Sequence, residues 1–193
     1  MNADELLRQY KDGKRDFILA NLADICLTER CLVAIDLSQS RLANANLSGS
    51  DLQSANLSAA VLTRATLWRS NLTSASLVSA NLDRARLIRA NLTGIDGDRA
   101  SLRNADLRLA NLAGANLSQV NLIGADLRYA NLTGVDLTGA NLSRANLTGA
   151  NLSQANLDGV TLTHAIFENT DISDISLMGV DLSQVDLRCA VLR

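Results

Sequence analysis

Outside its aspartates, this chain offers little for covalent or metal chemistry: one histidine, three cysteines and three glutamates. His164 has no second histidine with which to share a metal, and Cys26, Cys31 and Cys189 follow no metal-ligand spacing. Glu5, Glu29 and Glu168 are too dispersed for an acid–base pair, and no serine or cysteine stands in a nucleophile context. No catalytic, cofactor-binding or metal residue is assigned, and the chain reads as a non-enzyme. Its arginines are more informative, because a guanidinium recognises carboxylates and phosphates without doing chemistry on them. From residue 41 onward there are 13 arginines, accompanied by a single tryptophan, Trp68. What they do depends on the backbone that spaces them.

That backbone is set by leucine. Stepping by five from Phe17 to Leu192 gives 36 positions, of which 32 are Leu; Phe17, Phe167 and Ile172 are the bulky exceptions and Gly97 the small one. A period of five belongs to neither a helix nor a strand. It requires the chain to turn once per repeat and return its leucine to one inner side. The residue two before each centre is Ala in 21 repeats, as fits a second inward side chain sharing a narrow lumen, and the residue just before is Asn in 14 and Asp in 10. Asn, Asp, Ser, Thr and Gly suit the corners. The run ANLTGANLSQANLDG, Ala145 to Gly159, is the clearest stretch.

These residues resemble the pentapeptide repeat family, with its A(D/N)LXX consensus, over about 180 of 193 residues. The resemblance implies an all-β fold: a right-handed quadrilateral β-helix of about nine coils, four repeats to a coil, about 40 Å long at the usual inter-strand spacing. Residues 1–14 are expected to form a short α-helical cap and residues 15–193 the β-helix, together one domain. Leu6, Leu7 and Tyr10 lie at helical spacing, Asn2 and Glu5 form a loose capping box, and Gly13 can end the helix. The segment ELLRQYKDGKRDF is similar to the leaders of cyanobacterial members. At the other end Ile175, Val180 and Val185 put bulk at inward positions. A homodimer through that end would cover it, as in gyrase-targeting members; a frayed final coil is the alternative.

With four repeats to a coil, residues 20 apart stack. Five of the 13 arginines then fall on a second face (Arg41, Arg64, Arg84, Arg103, Arg144) and six on the adjacent third (Arg69, Arg86, Arg89, Arg108, Arg128, Arg188). Trp68, Ile88 and Tyr129 share the third face. The candidate partner-binding surface is therefore Arg64, Trp68, Arg69, Arg84, Arg86, Arg89, Arg108, Arg128 and Tyr129. It fits a protein with an acidic surface, while a solvated face with arginine stems covering backbone is the plainer reading. Asp83, Asp106 and Asp126 temper its charge. Asp96, Gly97 and Asp98 form a second candidate, a local bulge, a packing defect or a calcium-binding turn.

Composition narrows the function classes. Net charge is −2, and residues 64–128 carry nine Arg against five Asp. A DNA-mimic inhibitor of a topoisomerase, as among fluoroquinolone-resistance members, needs a strongly negative rod, so charge disfavours it. Nucleic-acid binding through the basic faces lacks any accompanying motif. A non-catalytic protein-interaction module or regulatory scaffold, as in a family member that regulates heterocyst differentiation through protein contacts, fits best. Polar residues interrupt every repeat, so no membrane span is expected; the N-terminus has no apolar signal segment, and the odd cysteine count points to reduced thiols and the cytoplasm.

Overall fold

A computed structural model describes residues 1–177 and 179–191. The first element is α1, Ala3–Lys11. Its Asn2 cap accepts a hydrogen bond from the Glu5 N–H at 2.9 Å, and acids in its first turn and bases in its last oppose the ends of the helix dipole. Leu6 is fully buried, Ala3, Leu7 and Tyr10 pack against the core behind it, and the Tyr10 hydroxyl donates to the Val33 carbonyl at 2.9 Å.

From Asp16 onward the chain winds in five-residue sides. Residues just before a centre form parallel bridges with the residue 20 positions later, without a break from Asp16 with Asp36 to Asn151 with Asp171, and again at Ile166 with Asp186 and Asp171 with Val191. Twenty residues per circuit and five per side give a square coil. The centre N–H donates upward, as Phe17 does to the Asp36 carbonyl at 2.8 Å, and the Asp36 N–H returns to Arg15 at 2.8 Å. A further bond closes each corner, as Ala20 N–H to Phe17 C=O at 3.2 Å. The second corner residue is left-handed at every fifth position from Leu19 to Gly179, with φ of 54° to 61° where it is not glycine. That sign at the third residue of a four-residue turn is the type II pattern.

The corner explains the asparagines, although not at the place composition suggested. Asn and Asp stand on the flat side, just before the centre, and reach forward: Asn46 Oδ1 accepts from the Ser48 N–H at 3.1 Å, and Asn131 from Thr133 at 3.1 Å. This Asx contact holds the first corner amide. On two adjacent sides their amides also link coils, with Asn71 donating to Asp51 at 2.9 Å and Asn131 to Asn111 at 3.0 Å on one, and Asn56 to Asp36 at 3.1 Å on the other.

Leucine and alanine fill the lumen. Leu107, Leu127 and Leu147 have no exposed surface, and the inward alanines between them, such as Ala110, Ala125 and Ala145, expose 1% or less. Each such leucine contributes about 1.5–3 kcal/mol, and no coil is stable without its neighbours. Polar substitutes at the alanine position are satisfied: Ser50 Oγ donates to the Leu47 carbonyl at 2.6 Å, and Thr170 Oγ1 to the Leu147 carbonyl at 2.8 Å.

Gly97 makes no bulge. Asp96 keeps its bridges to Ser76 and Asn116, and the Gly97 N–H reaches the Asn116 carbonyl at 2.7 Å. A Cβ at Gly97 would meet Leu117 Cδ2 at 2.9 Å and Ile95 Cδ1 at 3.7 Å. The missing leucine is thus replaced by an isoleucine where alanine is usual and by a leucine leaning in from the coil above.

Regularity fades at the last described coil. Arg144 N–H reaches Thr163, 19 residues on, but His164 N–H reaches Gln184, 20 residues on, at 3.2 Å. A cleft of 260 Å³ opens among Val160–Thr163, Asp181 and Gln184. Ile175, Leu177, Val180, Leu182 and Val185 are only half-buried there. The last leucine centre, Leu192, lies outside the described residues.

Candidate functional site

The two corner columns that follow the arginine-bearing sides carry the candidate surface. Corner positions point outward because the centre and the residue two before it take up the lumen. The first column holds Thr63, Arg64, Asp83, Arg84, Arg103 and Asn104, which line a cleft of 340 Å³. The second holds Trp68, Ile88, Arg89, Arg108, Leu109, Arg128 and Tyr129, around a groove of 440 Å³. Arg86 stands on the flat side between them, bridged to Thr66 and Asp106. All nine residues expected to form a partner surface therefore lie on one side of the square coil and its two edges.

The groove has an apolar diagonal. Trp68 and Ile88 occupy the first corner position in two successive coils, and Leu109 and Tyr129 the second position in the next two. Trp68 is 43%, Leu109 47% and Tyr129 62% exposed. Four large apolar side chains along one exposed edge form a patch rather than isolated surface residues. Arg69 stacks on the Trp68 ring with its guanidinium carbon 4.5 Å from the centroid.

The arginines fall into two classes. Arg108 makes two hydrogen bonds to Asp106, at 2.8 and 2.7 Å, and Arg128 two to Asp126, at 2.9 and 2.7 Å. Arg108 also lies 3.6 Å from Asp126, so one network spans two coils. Burial pushes the Asp126 carboxyl up, but the Arg128 hydrogen bonds outweigh it and hold Asp126 below the usual carboxylate range; both arginines are raised by their aspartates. Arg108 and Arg128 are thus fixed, neutralised walls rather than free cations. Among the described residues, no ion pair joins the guanidinium of Arg64, Arg69, Arg84, Arg86, Arg89 or Arg103. Guanidiniums on neighbouring coils, whose backbones stand about 4.8 Å apart, repel one another, less so as salt rises.

Sequence reasoning grouped Arg108 and Arg128 with the free cations, although Asp-Leu-Arg at 106–108 and 126–128 places both charges outward across a buried leucine. It also missed Leu109 as a groove wall and Gly149 in the coil above Tyr129. A Cβ at Gly149 would lie 2.5 Å from the Tyr129 ring, so the glycine leaves room for the tyrosine to lie along the edge. Arg103, counted on the second face, belongs with Arg64 and Arg84 in one cleft. The Asp96 and Asp98 carboxylates are engaged within the fold: Asn116 donates to Asp96 at 3.0 Å, Ser118 to Asp98 at 3.0 Å, and Arg99 pairs with Asp98 at 2.7 Å.

The square coil and the five-residue period are matched by sequence comparison. The pattern described as pentapeptide repeats matches in 8 copies, over residues 31–69, 55–94, 100–139 and 140–177. The chain belongs to the pentapeptide repeat family. Members of that family fold as right-handed quadrilateral β-helices. The chain is 31% identical, with a TM-score of 0.52, to HetL, a pentapeptide repeat protein involved in heterocyst differentiation regulation from the cyanobacterium Nostoc sp. strain PCC 7120, covering 98% of this chain and 94% of that one. A trypsin-treated form of QnrB1, a plasmid-mediated fluoroquinolone resistance protein, shares the fold with a TM-score of 0.77 at 19% identity, covering 91% of this chain and 88% of that one. No curated protein matches the chain. Among the described residues, no helix is long and apolar enough to cross a membrane.

Proposed function

We propose that this pentapeptide repeat protein is a non-catalytic interaction module, a rigid cytoplasmic rod that presents one edge to a protein with an acidic surface. The observation that carries the reading is the 440 Å³ groove, in which Trp68, Ile88, Leu109 and Tyr129 lie beside the unpaired Arg89 and the Trp68-stacked Arg69. Trp, Tyr and Arg are the side chains that dominate protein interfaces. An acidic partner segment with an apolar anchor would relieve the repulsion among the arginines while covering the patch. HetL, similar along nearly the whole chain, is involved in heterocyst differentiation regulation.

In the same reading, residues 1–14 cap the first of about nine coils and form one domain with residues 15–193. The half-buried Ile175, Val180 and Val185 offer a surface for a second copy, which sedimentation of the full chain over a range of concentrations tests. The partner surface is tested by quantitative capture, comparing the wild type with Trp68→Ala and with a variant carrying Arg69→Glu and Arg89→Glu. Far-UV circular dichroism first establishes that each is folded. A protein held by the wild type and released by both variants is the expected result; identical captured sets remove this edge as the working surface.

A further inference from the structure

The cleft on the neighbouring edge has a different chemistry from the apolar groove. Arg64, Arg84 and Arg103 line it together, with Thr63 and Asn104 adding a hydroxyl and an amide. Its single acid, Asp83, is turned into the coil stack: Oδ1 accepts from Ser101 Oγ at 2.5 Å and from the Arg103 N–H at 3.1 Å. Elsewhere the fold has a ready device for neutralising an arginine at the first corner position, an aspartate two residues earlier, used at Arg108, Arg128 and Arg188. At Arg103 that place holds Ser101, whose hydroxyl binds the acid of the coil below instead. The cleft therefore keeps three guanidiniums without a guanidinium–carboxylate pair.

We propose that the Arg64–Arg84–Arg103 cleft is a binding site for a phosphoryl group. Three cations against one carboxylate leave a deficit of two negative charges. A phosphomonoester supplies about −1.5 to −2 at neutral pH. Its several oxygens suit forked donors arriving from three stacked coils, whereas one carboxylate satisfies a single fork. The site stands apart from the apolar groove, so either can fail without the other. The phosphoryl group can belong to a free phosphate or to a phosphorylated side chain of a partner.

The test uses the full chain in a phosphate-free, low-salt buffer. Inorganic phosphate, a phosphoserine hexapeptide and the same peptide with glutamate in place of phosphoserine are titrated while the arginine Nε–H signals are followed by NMR. Arg84→Ala and Arg103→Ala are compared with Arg144→Ala, which removes an unpaired arginine from the same column, away from the cleft. Circular dichroism and urea unfolding check that the variants fold. Saturable one-site binding is expected, weakened about tenfold or more by loss of a charge-assisted hydrogen bond in Arg84→Ala and Arg103→Ala, and left within about twofold in Arg144→Ala, as for a surface charge. Equal affinity for phosphate and phosphopeptide assigns a free ligand; tighter phosphopeptide binding assigns a modified partner. Absence of saturation, equal binding of the glutamate peptide, or equal weakening by Arg144→Ala overturns the proposal.

Discussion

Gly97 and Ile95 share one repeat, and the isoleucine stands where most repeats carry alanine. With Leu117 Cδ2 only 2.9 Å from where a Cβ would be, a leucine introduced at 97 would crowd a lumen already filled from two directions. Gly97→Leu is expected to destabilise by about 1–3 kcal/mol, and adding Ile95→Ala, which restores the common pattern, should recover most of it. Urea unfolding of the two singles and the double measures this coupling. Asp126 permits a second test. Its folded pKa lies below its unfolded value, so its contribution is fully present above the unfolded value, about 3.9, and is lost as pH falls through the folded one. Asp126→Asn should lower the unfolding temperature at pH 7 and lose that deficit in acid, below about pH 4. A deficit that persisted in acid would point to packing rather than charge. The leucine column made every centre legible from the amino acids alone. The compensation at Gly97 was not, because it depends on which neighbouring rotamer leans into the gap, and periodicity carries no rotamer information.

At the scale of the single side, a left-handed corner must be built every five residues. Gly134, with φ of 63° and nothing within 4 Å of an added Cβ, isolates the backbone requirement. Gly134→Ala should cost about 1 kcal/mol, the strain of a left-handed alanine. Gly149→Ala carries the same strain and must also move the Tyr129 ring. It should therefore destabilise more and shift the Tyr129 ring resonances, which Gly134→Ala leaves in place. Where corners slip, protection should fall. The amides of Leu162 and His164, beside the 260 Å³ cleft, are expected to exchange faster than those of Leu142 and Arg144, whose bonds upward are regular. The corners were only partly readable. Glycine and asparagine are common in turns, but the asparagines proved to act from the flat side through an Asx contact. Residues as unsuited to left-handed backbone as Leu109 and Tyr129 take the same φ because the coil stack imposes it.

For the molecule as a whole, the 20-residue circuit converts sequence separation into position on a prism. That arithmetic was available before any coordinates, and it placed Arg64, Trp68, Arg84 and Tyr129 along two adjacent edges. It could not show that Arg108 and Arg128 are neutralised, since that depends on how far a guanidinium folds back across its own strand.

The square cross-section also constrains how such a gene can change length. A duplication of 20 residues adds one storey and leaves every column aligned, whereas a duplication of five rotates everything above it by a quarter turn. Inserting one repeat after Ile95 should give a folded rod in which Arg103, Leu109 and Tyr129 have moved to other edges, so that the cleft and the groove are both dismantled. Inserting four repeats at the same point should keep all of them on their edges, one storey farther from Arg84 and Trp68. Five-residue slippage is thus silent for the fold and disruptive for any surface assembled across the insertion point. A lineage that depends on such an edge should tolerate growth in whole storeys and reject single repeats.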